Sequence, residues 1–283
     1  MGTLYVVGTP IGNLKDITLR ALETLRSVSL IAAEDTRVTR KLLEAYDIHT
    51  PMTSYFEHNK RQKLGRILDA LEHGDVALVS DAGMPGINDP GYELIRACLE
   101  AGHHVTVVPG PSAPIAALVI SGLPTDRFLY LGYVPRRSRE RRKTFHHLRY
   151  ERATLIFLEA PHRLVNTLTD AVDIFGGERA CAIARELTKV HEEVFRGTLQ
   201  DALGHYRLHP PRGELVLMVQ GSSEPAPAYP VDVDRVREAA QFLADAGLSP
   251  SQTARVLARL LGTSKRVIYA YLTSSTPLED GDA

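Results

Sequence analysis

Short apolar runs of four or five residues alternate with longer amphipathic stretches through the first half of the chain, and this rhythm restricts the fold more than any other feature. Runs of that length suit strands, while the stretches between them carry apolar residues at helical spacing. The pattern predicts strands at 4–7, 30–33, 52–55, 76–80 and 105–108. It predicts helices at 17–25 with Asp16 as cap, and at 39–46, 60–72, 92–101 and 111–121. Such alternation implies an α/β fold with a parallel sheet covered by helices on both faces. In sheets of that kind the ligand sits beyond the carboxyl ends of the strands. The loops after the first, second, fourth and fifth strands are therefore the ones to read for chemistry.

A second unit follows with a different rhythm, with strands predicted at 128–133, 154–158, 181–184 and 215–219 and helices at 162–175 and 200–206. This reads as a mixed α/β domain and not as a repeat of the first. A Pro/Ala/Ser-rich stretch suits a linker, and two helical patterns at 236–246 and 250–261, with a third at 264–272, suggest a small helical unit. The expected organisation is a parallel α/β domain at 1–124, a mixed α/β domain at 125–221, a linker at 222–231, a small helical unit at 232–274 and a disordered tail at 275–283.

Bulk charge points to no partner, because the formal net charge is −1. The two cysteines, Cys98 and Cys181, stand alone without zinc-ligand spacing, so no metal site is expected. Lone thiols and a start that enters a strand without a basic leader lead to the expectation of a cytoplasmic protein. The longest apolar run, 113–120, is too short to span a bilayer, so no membrane is expected as partner.

Three loops stand out. After the first strand the chain reads Gly8-Thr9-Pro10-Ile11-Gly12. It is neither a dinucleotide fingerprint nor a Walker loop, and it fits either a close approach of backbone to a ligand or a plain tight turn. After the fourth strand comes Ser80-Asp81-Ala82-Gly83-Met84-Pro85-Gly86-Ile87-Asn88-Asp89-Pro90-Gly91. Its glycines and prolines fix an unusual path, and Asp81 stands where a carboxylate meets a cationic or hydroxylated ligand. The plainer reading has Asp81 and Asp89 capping turns. After the fifth strand, Pro109-Gly110-Pro111-Ser112-Ala113 opens a helix and leaves small residues at its start.

Taken together and in this order, the three loops resemble the tetrapyrrole methylase family of S-adenosylmethionine-dependent enzymes. The segments Ala33-Glu34-Asp35-Thr36-Arg37, Phe157-Leu158-Glu159-Ala160-Pro161-His162-Arg163, Arg185-Glu186-Leu187-Thr188-Lys189 and Gly213-Glu214 resemble the branch that acts on small-subunit ribosomal RNA. The resemblance covers residues 1–221 continuously. It implies a two-domain fold with S-adenosyl-L-methionine held in the cleft between the domains. The positions implied to hold it are Pro10, Gly12, Asp81, Ala82, Gly83, Ser112, Ala113, Glu159, Ala160 and Leu187. It also implies a homodimer, and methylation of a cytidine ribose 2′-hydroxyl in ribosomal RNA or the small ribosomal subunit. Tetrapyrrole-binding members carry a Gly-Asp-Pro run after the fourth strand. Ser80-Asp81-Ala82-Gly83 stands there in this chain, which favours the RNA branch.

Local charge supports RNA independently of the resemblance. Between Pro135 and Tyr150 lie Arg136, Arg137, Arg139, Arg141, Arg142, Lys143 and Arg149 against the single anion Glu140. So local an excess suits a polyanion, where the alternative is a solvated helix face. In the helical tail Arg255, Arg259, Lys265 and Arg266 meet no acidic residue between 246 and 278, so this unit suits either RNA or simple packing. For a general base the candidates are Glu34, Asp35 and Glu57, with Arg37 placed to steady a phosphate. Glu34, Asp35 and Arg37 equally fit a capped helix start with a local ion pair. Two rival readings remain at this level: a methyltransferase of a tetrapyrrole or other small molecule, and a non-catalytic nucleic-acid-binding regulator.

Overall fold

Leu30–Ala33 and Val76–Val79 are buried at every position, as continuous apolar runs must be when helices cover both faces of a sheet. The computed structural model describes residues 2–56, 60–89, 91–223 and 233–261, with Lys265, Ile268, Tyr269 and Leu272 beyond them. It divides into two compact units, Met1–Gly221 and Ser222–Ala283.

The first unit begins with β1 (Thr3–Val7), α1 (Leu19–Ser27), β2 (Leu30–Ala33), α2 (Thr36–Ala45), β3 (Met52–Ser54), α3 (Lys60–His73), β4 (Val76–Val79), α4 (Gly91–Glu100), β5 (His104–Val108) and α5 (Ala113–Ser121). The strands are all parallel, in the order β3-β2-β4-β1-β5. Side chains alternate with period two: Val76 and Leu78 enter one core with Ile67, Leu71 and Leu94, whereas Ala77 and Val79 enter the other with Leu22, Leu25 and Leu43. Helices α1 and α2 thus lie on one face, and α3 and α4 on the other. β1 and β4 are neighbours whose following helices leave to opposite faces. That is the kind of switch point at which α/β sheets bind ligands.

The same unit continues with β6 (Phe128–Tyr133), α6 (Ser138–Leu148), β7 (Thr154–Glu159), α7 (Leu164–Phe175), β8 (Ala180–Arg185), β9 (Glu193–Thr198), α8 (Leu199–Leu208) and β10 (Leu215–Val219). This second sheet is mixed, in the order β6-β7-β10-β8-β9, with only β6 and β7 parallel. Helix α5 packs on it: Ala117 and Leu118 share a core with Ile156, Ala182, Ala184, Val216 and Met218. Ile11, from the loop after β1, belongs to the same core and ties that loop to the second sheet.

One local expectation needs correction, and two elements were not predicted. Thr18, not Asp16, caps α1 by accepting from the Ala21 amide at 3.1 Å, and Leu14–Asp16 forms a separate 3-10 turn. β9 escapes the apolar pattern because it is an edge strand with Glu193 and Arg196 exposed. α6 escapes it because its inward positions are only Arg141 and Phe145.

In the second unit, α9 (Val233–Asp245) and α10 (Pro250–Leu260) pack through Val236, Ala240, Ala254, Leu257 and Ala258, joined by Ile268. Ser249 and Gln252 form a capping box at the start of α10. Parts of the expected linker and third helix, and all of the expected tail, lie outside the described residues. Among those described, no helix is long and apolar enough to cross a membrane.

Candidate active site

The loops after β1, β4 and β5 are locked together through backbone. The Thr9 and Gly83 amides exchange hydrogen bonds of 2.9 and 3.1 Å, and the Thr9 hydroxyl donates to Ser80 O at 3.1 Å. Gly8 donates to Val108 O at 3.0 Å, and a Cβ on Gly8 would stand 2.7 Å from the Gly110 backbone. That approach needs glycine at both positions. Gly83 adopts φ +80°, with Pro111 O and Ile11 beside it. Pro10, Gly83, Ser112 and Ala113 are thereby brought to one edge. Ser112 occupies the N-cap of α5 without a side-chain cap bond, which leaves its hydroxyl for a ligand. Asp89 follows the plainer reading: it accepts from the Gly86 and Gly91 amides at 2.7–2.9 Å and organises its own loop.

Gly12 faces the second half of the unit. A Cβ there would lie 2.6 Å from Leu187 O and 2.7 Å from Thr188 Oγ1. The turn it meets is strained: Glu186 and Thr188 have φ of 51° and 65°. A β-branched residue there is a clear outlier, and each such position costs on the order of 1–3 kcal/mol. The turn is held by Glu186, which accepts from the Glu214 amide at 2.9 Å and from Lys189 at 3.0 Å. Thr188 Oγ1 is buried and has no hydrogen-bond partner. Leu187 is thus beside the β1 loop, in the same core as Ile11. Ala160 follows β7, but the Glu159 carboxylate turns inward, buried against Arg163, Thr167 and the Ala160 amide. Its role is to brace the turn, and its side chain is not offered to a cofactor.

A clasp of carboxylates joins the ends of β2 and β4. Asp81 accepts from the Asp35 amide at 2.9 Å, and Glu34 accepts in return from the Asp81 amide at 3.2 Å. Partial burial, followed by the nearby negative charges of Asp81, Asp89 and Asp35, pushes the Glu34 carboxyl above its ordinary value. Burial and the Asp35 charge do the same to Asp81. Asp35 behaves oppositely. Hydrogen bonds from the Arg37 side chain and amide hold it down at about 2, and it caps α2 through that amide at 2.8 Å. Glu34, Asp35, Thr36, Arg37, Ser54 and Phe56 line an open groove of about 370 Å³. The loop after β3, from which the sequence offered only Glu57, lines the groove through Phe56. An aromatic residue directly beyond a strand of this sheet was the signal available. Glu57 lies outside the described residues.

Of the basic segment, Arg136, Arg137, Arg139 and Lys143 are exposed. Arg139 and Lys143 share one stripe of α6 with His147 at four-residue spacing. Arg141 departs from expectation. Its side chain is only 6% exposed and pairs with Asp170 at 2.6 Å, because α6 needs an inward anchor beside Phe145. Arg142 bridges Asp170 and Asp173 at 2.9 and 3.0 Å. These two arginines dock the helix on α7. In the second unit Lys265 donates to Ser251 at 2.8 Å. Arg266 lies outside the described residues.

The sequence matches the model of the Tetrapyrrole (Corrin/Porphyrin) Methylases over residues 3–203. A ribosomal RNA small subunit methyltransferase I of Synechocystis sp. is 47% identical over 271 residues, covering 95% of this chain and 96% of that one. One from Escherichia coli O157:H7 is 44% identical, covering 95% and 94%. One from Thermotoga maritima is 47% identical over 222 residues, covering 78% of this chain and 99% of that one. Among solved structures, a uroporphyrin-III-C-methyltransferase from Thermus thermophilus superposes with TM-score 0.57 at 23% identity, covering 78% and 94%. A diphthine synthase does so with TM-score 0.62 at 15% identity, covering 78% and 90%. The two structures share the fold of this chain.

Proposed function

The chain belongs to the tetrapyrrole methylase family, and from that membership we propose that it transfers a methyl group from S-adenosyl-L-methionine to a cytidine 2′-hydroxyl of small-subunit (16S) ribosomal RNA. The observation that carries this reading is the 44–47% identity to ribosomal RNA small subunit methyltransferases I over nearly the whole of both chains.

The residues present suit the cofactor. The loops carrying Pro10, Gly12, Ala82, Gly83, Ser112 and Ala113 are small and offer backbone groups at the carboxyl edge of the sheet, and the unpartnered Thr188 hydroxyl lies beside Gly12. The cofactor, when bound, supplies an electrophilic methyl on a sulfonium. The chain's part is to hold the sugar hydroxyl in line and to take its proton. Alignment contributes up to ~7–11 kcal/mol in ideal cases. Glu34 is our candidate base, because a carboxylate whose pKa is raised lies closer to working pH, and a positioned base adds about 10²–10⁴-fold. Asp35 is tied to Arg37 and held too acidic for that role.

RNA is received by the outward cations Arg136, Arg137, Arg139 and Lys143, which position phosphates without reading sequence. Ribosomal subunits place this work in the cytoplasm, and the free, buried thiols of Cys98 and Cys181 agree with a reducing compartment. We also infer a homodimer. Helix α5 is apolar on all faces yet exposes Ile115 and Val119, and a helix of that composition is normally covered all round.

Incubation of the purified chain with methyl-labelled cofactor and unmethylated small subunits tests the activity. Label in a 2′-O-methylcytidine of the RNA is expected. Cofactor binding without label in RNA would overturn it.

A further inference from the structure

The groove lined by Glu34, Asp35, Thr36, Arg37, Ser54 and Phe56 is not among the loops that suit the cofactor, yet it is joined to them. Its volume of about 370 Å³ is at the small end of ligand pockets, suited to a single nucleotide and not to a macrocycle. Its lining is mixed in a particular way. Phe56, a residue 38% exposed, lines it at the carboxyl edge of the sheet. The side chain of Arg37 is 87% exposed, and its pairing with Asp35 runs through Nε and Nη2, leaving Nη1 for a further acceptor. Carboxylates and the hydroxyls of Thr36 and Ser54 complete the wall. A flat ring, a guanidinium and acceptors for an exocyclic amine are the groups that recognise an unstacked base and its phosphate.

A sugar hydroxyl meets a cofactor held in a cleft only if its nucleotide leaves the stack. We propose that this groove is the acceptor pocket: it takes the base of the target nucleotide turned out of its strand, with Phe56 stacked on the base and Arg37 on the adjoining phosphate. The Glu34–Asp81 hydrogen bond joins the groove to the loop beside Ala82 and Gly83, so the sugar of a nucleotide seated there lies between the pocket and the cofactor loops. The proposal rests on the RNA-methylating activity inferred above and names where its acceptor is held.

The test uses the full chain with unmethylated small subunits. Phe56→Ala is expected to lower kcat/KM for subunits about tenfold or more, the scale of a lost base–aromatic stack, with the Kd for S-adenosyl-L-methionine unchanged by calorimetry. Phe56→Trp is expected to restore it, a rescue that a packing role for Phe56 would not give. Arg37→Gln is expected to raise KM for subunits more than it lowers kcat. Wild-type kcat/KM in Phe56→Ala overturns the proposal, and so does a parallel loss of cofactor affinity, which would place the groove in the cofactor site. If the wild-type chain itself leaves RNA unlabelled, the activity reading fails instead, whatever the variants do.

Discussion

Asp170 holds two arginines of the basic helix with one carboxylate, and this separates cations that dock α6 from cations that face solvent. Burial pushes the Asp170 carboxyl up, but hydrogen bonds from Arg142 and Arg141 outweigh it and the net value is lowered. A lowered carboxyl contributes stability above the unfolded aspartate range and loses it as pH falls through the folded value. Asp170→Ala leaves the buried Arg141 unpaired and is expected to cost about 3–5 kcal/mol, read by urea denaturation at neutral pH. Arg139→Ala and Lys143→Ala are expected instead to leave stability within ~0.5 kcal/mol. Each is expected to reduce the salt slope of RNA binding by about one. Glu34 has the opposite sign to Asp170: a raised carboxyl makes its charged form unfavourable in the fold. Glu34→Gln is therefore expected to melt no lower than wild type at neutral pH, with any advantage vanishing below the ordinary glutamate range. Its methyl transfer is expected to fall about 10²–10⁴-fold if Glu34 is the base.

At the scale of elements, the site depends on strand ends that approach more closely than side chains permit. The Gly8–Gly110 contact is backbone on backbone, so neither partner yields as a side chain would. Gly110→Ala is expected to destabilise by about 1–3 kcal/mol through overpacking and to weaken cofactor binding, checked by thermal melts and calorimetry together. Normal cofactor affinity in that variant would mean that the β5 loop does not shape the cofactor site. The parallel strands were legible because continuous apolar runs between helical patterns allow little else. α6 and β9 were not, because each buries only part of one face and otherwise carries charge. The capping of α1 was misread because Asp16 and Thr18 are both good caps, and only the course of the preceding 3-10 turn selects Thr18.

At the scale of the molecule, the two sheets share one compact unit through α5 and Ile11, while the helices after Gly221 form a unit of their own with a separate core. Truncation after Gly221 is expected to leave S-adenosyl-L-methionine affinity within a factor of about two, since the loops that suit the cofactor all belong to the first unit. The inferred homodimer has its own test. Ile115→Glu with Val119→Glu places charge on the exposed stripe of α5, and sedimentation is expected to show a monomer. A wild-type chain that sediments as a monomer would remove the dimer reading.

Periodicity and turn residues by themselves determined the layered fold and the loops that meet at the sheet edge, and the class of chemistry was legible only through the resemblance those loops carry. These are properties of consecutive residues, and backbone sterics and burial act on them locally. Tertiary structure alone decided which charges are available. Arg141 and Arg139 are two positions apart in the same cationic run, yet packing against α7 buries one and leaves the other in solvent. It also decided that Glu34 and Asp81, far apart in the chain, share a hydrogen-bonded clasp, and that Phe56 stands at its rim. Contacts between distant segments are set by how helices and sheets pack, and no window of sequence carries that information.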